Sequence, residues 1–170
     1  MTYLIDSDVL IEAKDRHYAF DFCPGFWDWI LQQHVLRVVF SVKAIGDELK
    51  AGNDQLALWT AKQGSKFFLP EDAKTVAAMA VVAKAVSNMA VNKVPYNPAA
   101  LNQFMSSGDY RLISHAKAHG HVVVTHEVGQ KGSNQPSLKR LKIPDVCNAV
   151  GVDCISPFKL LRDEGAKLVI

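Results

Sequence analysis

Asp6, Glu48, Asp109 and Glu127 each stand at the head or edge of an apolar element. A carboxylate placed directly after a buried strand needs a partner, because burying an unpaired charge is costly. Four such placements in one chain suit a divalent cation. Carboxylate oxygens are hard donors that match Mg²⁺ or Mn²⁺, ions that keep several waters and leave room for a phosphate oxygen. The chemistry open to such a centre is hydrolysis by a metal-bound water, which requires no nucleophilic side chain.

The elements that must position these acids follow from the hydrophobic pattern. Tyr3, Leu4 and Ile5 read as a short buried strand that ends at Asp6 and turns into a helix through Val9, Leu10 and Ile11. Leu36 to Phe40 reads as a second strand, with Ser41 as N-cap of a helix closed by Gly52. A helix is predicted from about Asp54 to Gln63, and a long alanine-rich one from the Glu71–Asp72 pair to about Ala90. Pro95 and Pro98 break the chain before one or two helical turns over Ala99 to Met105. Asp109 opens a helix that stops at Gly120, and Val122 to Val124 form a strand leading through Thr125 to Glu127. Gly129 to Pro136 reads as a mobile loop, Pro144 to Val150 as a short helix, Val152 to Ile155 as a last strand and Ser156 to Asp163 as a capped helix.

Strands alternating with helices predict a three-layer α/β/α sandwich around a mainly parallel sheet, in which ligands gather at the carboxyl ends of the strands. Helical projection at about 100° per residue selects among the acids. Glu48 borders the stripe of Val42, Ile45 and Leu49, whereas Asp47 faces water; Asp109 lies in line with Leu112, Ile113 and Ala116 and points toward the sheet. Taken singly, Asp109 could be a helix N-cap and Glu48 a salt-bridged surface residue. The joint placement, two acids after strands and two on sheet-facing sides of helices, is the stronger signal.

The chain has 170 residues with 49% hydrophobic and 21% charged content, values that fit one globular domain over residues 1–170. A net charge of +2 neither demands nor excludes nucleic acid, but Lys139, Arg140 and Lys142 form a local basic group able to neutralise phosphates. Cys23, Cys147 and Cys154 are odd in number and contain no CxxC pair, which argues against a disulfide framework or structural zinc and fits a reducing cytoplasm. Neither a signal peptide nor a membrane span is expected, so no membrane partner is either.

Together, Tyr3-Leu-Ile-Asp6-Ser-Asp8-Val-Leu-Ile11, Glu48-Leu49, Gly108-Asp109-Tyr110 and Val124-Thr125-His126-Glu127 resemble the PIN domain family of metal-dependent ribonucleases, VapC-type toxins among them. Pro24-Gly25-Phe26-Trp27-Asp28-Trp29 and Lys142-Ile143-Pro144-Asp145-Val146-Cys147 are similar to stretches of a bacterial PIN-like subfamily, domain of unknown function 4411. The resemblance implies that Asp6, Glu48, Asp109 and Glu127 surround one or two Mg²⁺ or Mn²⁺ ions and cleave RNA, with Asp8 holding a water or a second ion. Ser7 and Thr125 would hydrogen-bond ligands or substrate, and His126 would contact RNA. The sequence departs from the family pattern at Asp8, where many members carry asparagine, and at Glu127, where aspartate is usual. The resemblance further implies a toxin–antitoxin pair, with an antitoxin protein as partner, and homodimers; the apolar helix from Glu71 to Ala90 offers a surface for either, or is simply a packed central helix.

Other readings carry less. His115 and His119, four apart, hint at a transition-metal pair, but no glutamate lies between them and His115 projects off the buried stripe. Phe20, Phe22, Phe26, Trp27 and Trp29 suit packing beneath a loop better than stacking on bases. Asp6-Ser7-Asp8 also resembles the start of haloacid-dehalogenase-like phosphatases, but the later acidic motif of that family is missing. A non-catalytic PIN-like module that binds RNA or protein is the remaining alternative.

Overall fold

The computed structural model describes residues 1–91, 93–130 and 137–168. Its centre is a five-stranded parallel sheet made of β1 (Tyr3–Ile5), β2 (Val39–Val42), β3 (Phe68–Leu69), β6 (Val122–Val124) and β7 (Cys154–Ile155), in the order β3-β2-β1-β6-β7. All residues of β1, β2 and β6 are buried, on both faces of the pleat. Apolar strands without alternation are what a parallel sheet covered by helices on both sides requires. The expected three-layer α/β/α sandwich is therefore the observed one. A small antiparallel pair, β4 (Ala90–Val91) and β5 (Val94–Pro95), stands apart from it.

The covering helices are α1 (Ser7–Glu12), α2 (Pro24–Val35), α3 (Lys43–Lys50), α4 (Gln55–Phe67), α5 (Ala73–Ser87), α6 (Pro98–Met105), α7 (Gly108–His119), α8 (Ile143–Val150) and α9 (Pro157–Asp163). Local chemistry sets their ends. Asp54, Asp72, Ser107 and Ser156 each accept a hydrogen bond from a backbone N–H of the first turn, and Gly120 and Gly151 close α7 and α8 in the left-handed conformation.

Several boundaries differ from the sequence expectation. The second strand starts at Val39 rather than Leu36, because Leu36 ends α2 and Arg37 turns the chain with a φ of 61°. Ser41 lies inside this strand and is no N-cap; its hydroxyl donates to the Ile5 carbonyl at 2.7 Å, tying β2 to β1. Asp109 is not the helix cap either, since Ser107 takes that position. The segment Pro24–Val35 folds as a full helix that the turn-like Pro-Gly start concealed, with Phe26, Trp27 and Trp29 buried as packing aromatics. The helix predicted to run to Ala90 stops at Ser87 and packs one face on α7 and α8, leaving Val76 and Val81 exposed on the other. Residues 131–136 of the expected loop lie outside the described residues. No helix among the described residues is long and apolar enough to cross a membrane.

Candidate functional site

Strand order decides where a site can form. The chain moves outward from β1 through β2 to β3, then returns to the other side of β1 as β6 and continues to β7. Connections on the two sides of β1 diverge at their carboxyl ends and leave a crevice there, the place where open parallel sheets hold ligands. Asp6 is the first residue past β1 and Thr125 the first past β6, with the two strands in register at Ile5 and Val124. The Asp6 N–H donates to the Val124 carbonyl at 2.9 Å, which pins the acid into the crevice.

Asp6 is 3% exposed, and its Oδ1 accepts from the Ser7 N–H at 2.7 Å. Its Oδ2 lies 3.2 Å from the Thr125 hydroxyl, which also stands 2.9 Å from Oδ2 of Asp8. The hydroxyl has one proton and already accepts the Glu127 N–H at 3.1 Å, so it can serve only one carboxylate at a time. The His126 N–H donates to the same Asp8 oxygen at 3.0 Å, while Asp8 Oδ1 is buried with no partner. Two neighbouring carboxyls thus share too few donors, and a buried acceptor without a partner calls for a proton, a water or a cation.

Asp109 enters from the first turn of α7. Burial, followed by the charges of Glu127 and Glu48, raises its pKa to about 6. Burial likewise raises Asp6 well above the ordinary carboxylate range, with the charges of Asp8 and Asp109 adding to it, and raises Asp8. Glu48 reaches the same helix end, its Oε1 accepting the Gly108 N–H at 3.0 Å. A Cβ at position 108 would sit 2.6 Å from that oxygen, so glycine there is what permits the approach. Asp47, as projected, faces the other way and pairs with Lys43 and Lys50.

Glu127 has a different setting from the other acids. Its Oε1 pairs with Arg140 at 2.9 Å and Lys142 at 3.1 Å, and its Oε2 accepts the Ile143 N–H at 2.8 Å, capping α8. Two members of the basic group are thereby drawn to the site. Lys139 is exposed and takes no part in that arrangement. A cavity of about 190 Å³ beside Asp109 and Arg140 and another of about 250 Å³ beside Ser7, Lys14 and Glu48 flank the acids. Lys14, now paired with Asp15 and Asp54, escaped the sequence reading because one lysine in a helix carries no motif.

The donor set suits a hard divalent cation in charge and atom type, and the unpartnered Asp8 oxygen is where one would be missed most. Among the described residues no group of three or more His, Cys, Asp or Glu side chains is already arranged to hold a metal ion, so the acids are gathered but not closed on a common point.

The histidines correct one expectation. His115 is buried rather than off the packed face, because α7 is covered by α5 as well as by the sheet and so has two buried sides.

A family model described as a domain of unknown function, DUF4411, matches residues 3–168. Searches of curated proteins and of solved structures return no match.

Proposed function

The chain belongs to the DUF4411 family, whose description names no activity, and from its acidic centre we propose a divalent-metal-dependent ribonuclease that hydrolyses RNA phosphodiester bonds. The observation that carries this reading is the pair Asp6 and Asp8 sharing one Thr125 hydroxyl in the crevice between β1 and β6, with Asp8 Oδ1 buried and without a partner. The resemblance of the surrounding motifs to PIN domains supports RNA as the substrate.

When bound, Mg²⁺ or Mn²⁺ supplies a water of lowered pKa and a Lewis acid for a phosphate oxygen. Asp6, Asp8 and Asp109 would hold the ion, and Glu48 would complete the shell from the Gly108 side. Thr125 orients Asp6 and Asp8 through its hydroxyl, and the Ser7 N–H fixes the rotation of the Asp6 carboxyl. Glu127 acts best as a positioning residue, holding Arg140 and Lys142 where a backbone phosphate would pass. Its longer side chain compared with aspartate fits that reach. Replacing Asp6 by asparagine should abolish Mn²⁺-dependent cleavage of a single-stranded oligoribonucleotide; unchanged cleavage would overturn the site.

The engagement of Glu127 by two cations also favours a second reading, a non-catalytic PIN-like module binding RNA or protein. Calorimetric titration with Mn²⁺ separates the two, since the nuclease must bind the ion and lose it in D6N. A toxin role would add an antitoxin or a second copy of the chain, and the exposed Val76 and Val81 of α5 offer a face for either.

A further inference from the structure

Three rings from three separate elements meet at the rim of the acidic centre. His17 ends a π-helical turn (Ala13–His17) after α1, His126 follows β6, and Phe158 lies in the first turn of α9. Their centroids are 5.8 Å apart for the tilted His17–His126 pair and 5.7 Å for each histidine to Phe158, which stands edge-on to both at 76° and 71°. His126 and Phe158 follow the carboxyl ends of β6 and β7, the side where Asp6 and Thr125 lie, and His17 packs against both rings. His126 joins the two features directly, its backbone N–H donating to Asp8 while its ring faces the other two.

These aromatics differ from the core ones. Phe26, Trp27 and Trp29 are at most 6% exposed, whereas Phe158 is 39% exposed and His17 is open to solvent. The turn that delivers His17 is unusual, closed by a Tyr18 N–H to Ala13 carbonyl bond of 2.6 Å spanning five residues; such turns are rare and concentrate at functional sites. Lys14, Arg16 and Lys159 stand on the same two turns. Each is paired with a surface carboxylate, and such screened pairs are cheap to exchange for a phosphate.

We propose that the Phe158 ring, its edge packed on His17 and His126, is a platform that stacks one nucleobase of single-stranded RNA while the two histidines brace it, placing the adjoining phosphate at the acidic centre. The proposal rests on the ribonuclease reading and makes single strands the substrate class. An unpaired base has a free π-face to offer, whereas the bases of a duplex are stacked within it. The platform reads no base edge, so it tolerates any base.

Steady-state cleavage of a labelled single-stranded oligoribonucleotide with Mn²⁺ tests it. F158A should raise KM about tenfold or more, as losing a stacking aromatic does, with kcat within about twofold. F158W should restore KM, and H17A, an exposed position, should reproduce the F158A defect in a second variant. Wild-type protein that cleaves while F158A and H17A keep its KM overturns the platform alone. Equal cleavage of a matched duplex also overturns it. Wild-type protein that neither binds nor cleaves the oligonucleotide overturns the ribonuclease reading, and the platform with it.

Discussion

Helix α7 carries a titratable cluster at each end, and the two behave in opposite ways. At its start Asp109 joins the acids of the β1–β6 crevice. At its end His115 and His119, with His121 just past the Gly120 cap, bring three imidazoles together at centroid distances of 4.6 to 5.7 Å. Both clusters are partly buried and both would repel if charged. The histidines escape by losing protons: burial, then the neighbouring rings, lowers His115 to about 4, and burial lowers His121. His115 and His121 are thereby neutral at pH 7, and His119 lies 3.1 Å from Asp72. Asp109 has no such exit, since a carboxyl raised to about 6 is still ionised at neutral pH. Repulsion therefore persists at the Asp109 end at neutral pH, the end where the proposed function puts a cation.

The largest test of this contrast is activity. D109N should reduce Mn²⁺-dependent RNA cleavage at least about 1,000-fold, whereas H119Q should leave it within about twofold. Comparable losses in both variants, measured on the same oligonucleotide, would erase the distinction between the ends.

Stability against pH sharpens it next. Asp109 has a native pKa of about 6, above its unfolded value, so its contribution is present below about pH 4 and is lost as pH rises through 6. His115 has a native pKa of about 4, below its unfolded value, so its contribution is present above about pH 6.5 and is lost as pH falls toward 4. Each shift corresponds to roughly 3 kcal/mol. In EDTA, D109N should therefore unfold on the order of 10 °C higher than wild type at pH 7 and match it near pH 4. H115Q should remove the acid-side loss instead. Thermal denaturation of both variants across pH 4 to 7 reads the two slopes separately.

Smaller effects lie within the acidic end. T125V leaves Asp6 and Asp8 without their shared hydroxyl and should weaken Mn²⁺ binding about 10- to 100-fold, as loss of a ligand-orienting partner does, with T125S recovering most of it. Calorimetric titration measures this. Last, R140A removes one partner of Glu127 at a 64% exposed side chain, so folding stability should change by less than about 1 kcal/mol. KM for RNA should rise a few-fold and its salt dependence should flatten.

The acidic positions were legible because strand-end carboxylates and helical projection are local signals. Asp6 after Tyr3–Ile5, Glu48 rather than Asp47, and Asp109 in line with Ile113 all follow from spacing, and the structure places each as projected. The helix Pro24–Val35 was not legible, since Pro and Gly at its first two positions look like a turn until packing of Phe26 and Trp27 holds the rest. Ser41 failed for a similar reason: its hydroxyl found a better acceptor in Ile5 on a strand 36 residues away. The pairing of Glu127 with Arg140 and Lys142 also escaped, because no helical or strand spacing relates positions 13 and 15 residues apart across a loop.

By itself, the sequence determined four of the five sheet strands, missing the two-residue edge strand Phe68–Leu69, together with most helices and the identities of the acids, because apolar periodicity, capping chemistry and residue type act over a few neighbours. Only the tertiary structure decided that β6 returns beside β1, and so which acids share a crevice. It also decided that Asp8 keeps an oxygen without a partner, that Glu127 is held by cations, and that His17, His126 and Phe158 meet at one rim. Those outcomes depend on desolvation and on contacts between residues from 13 to more than a hundred positions apart, which no local pattern encodes.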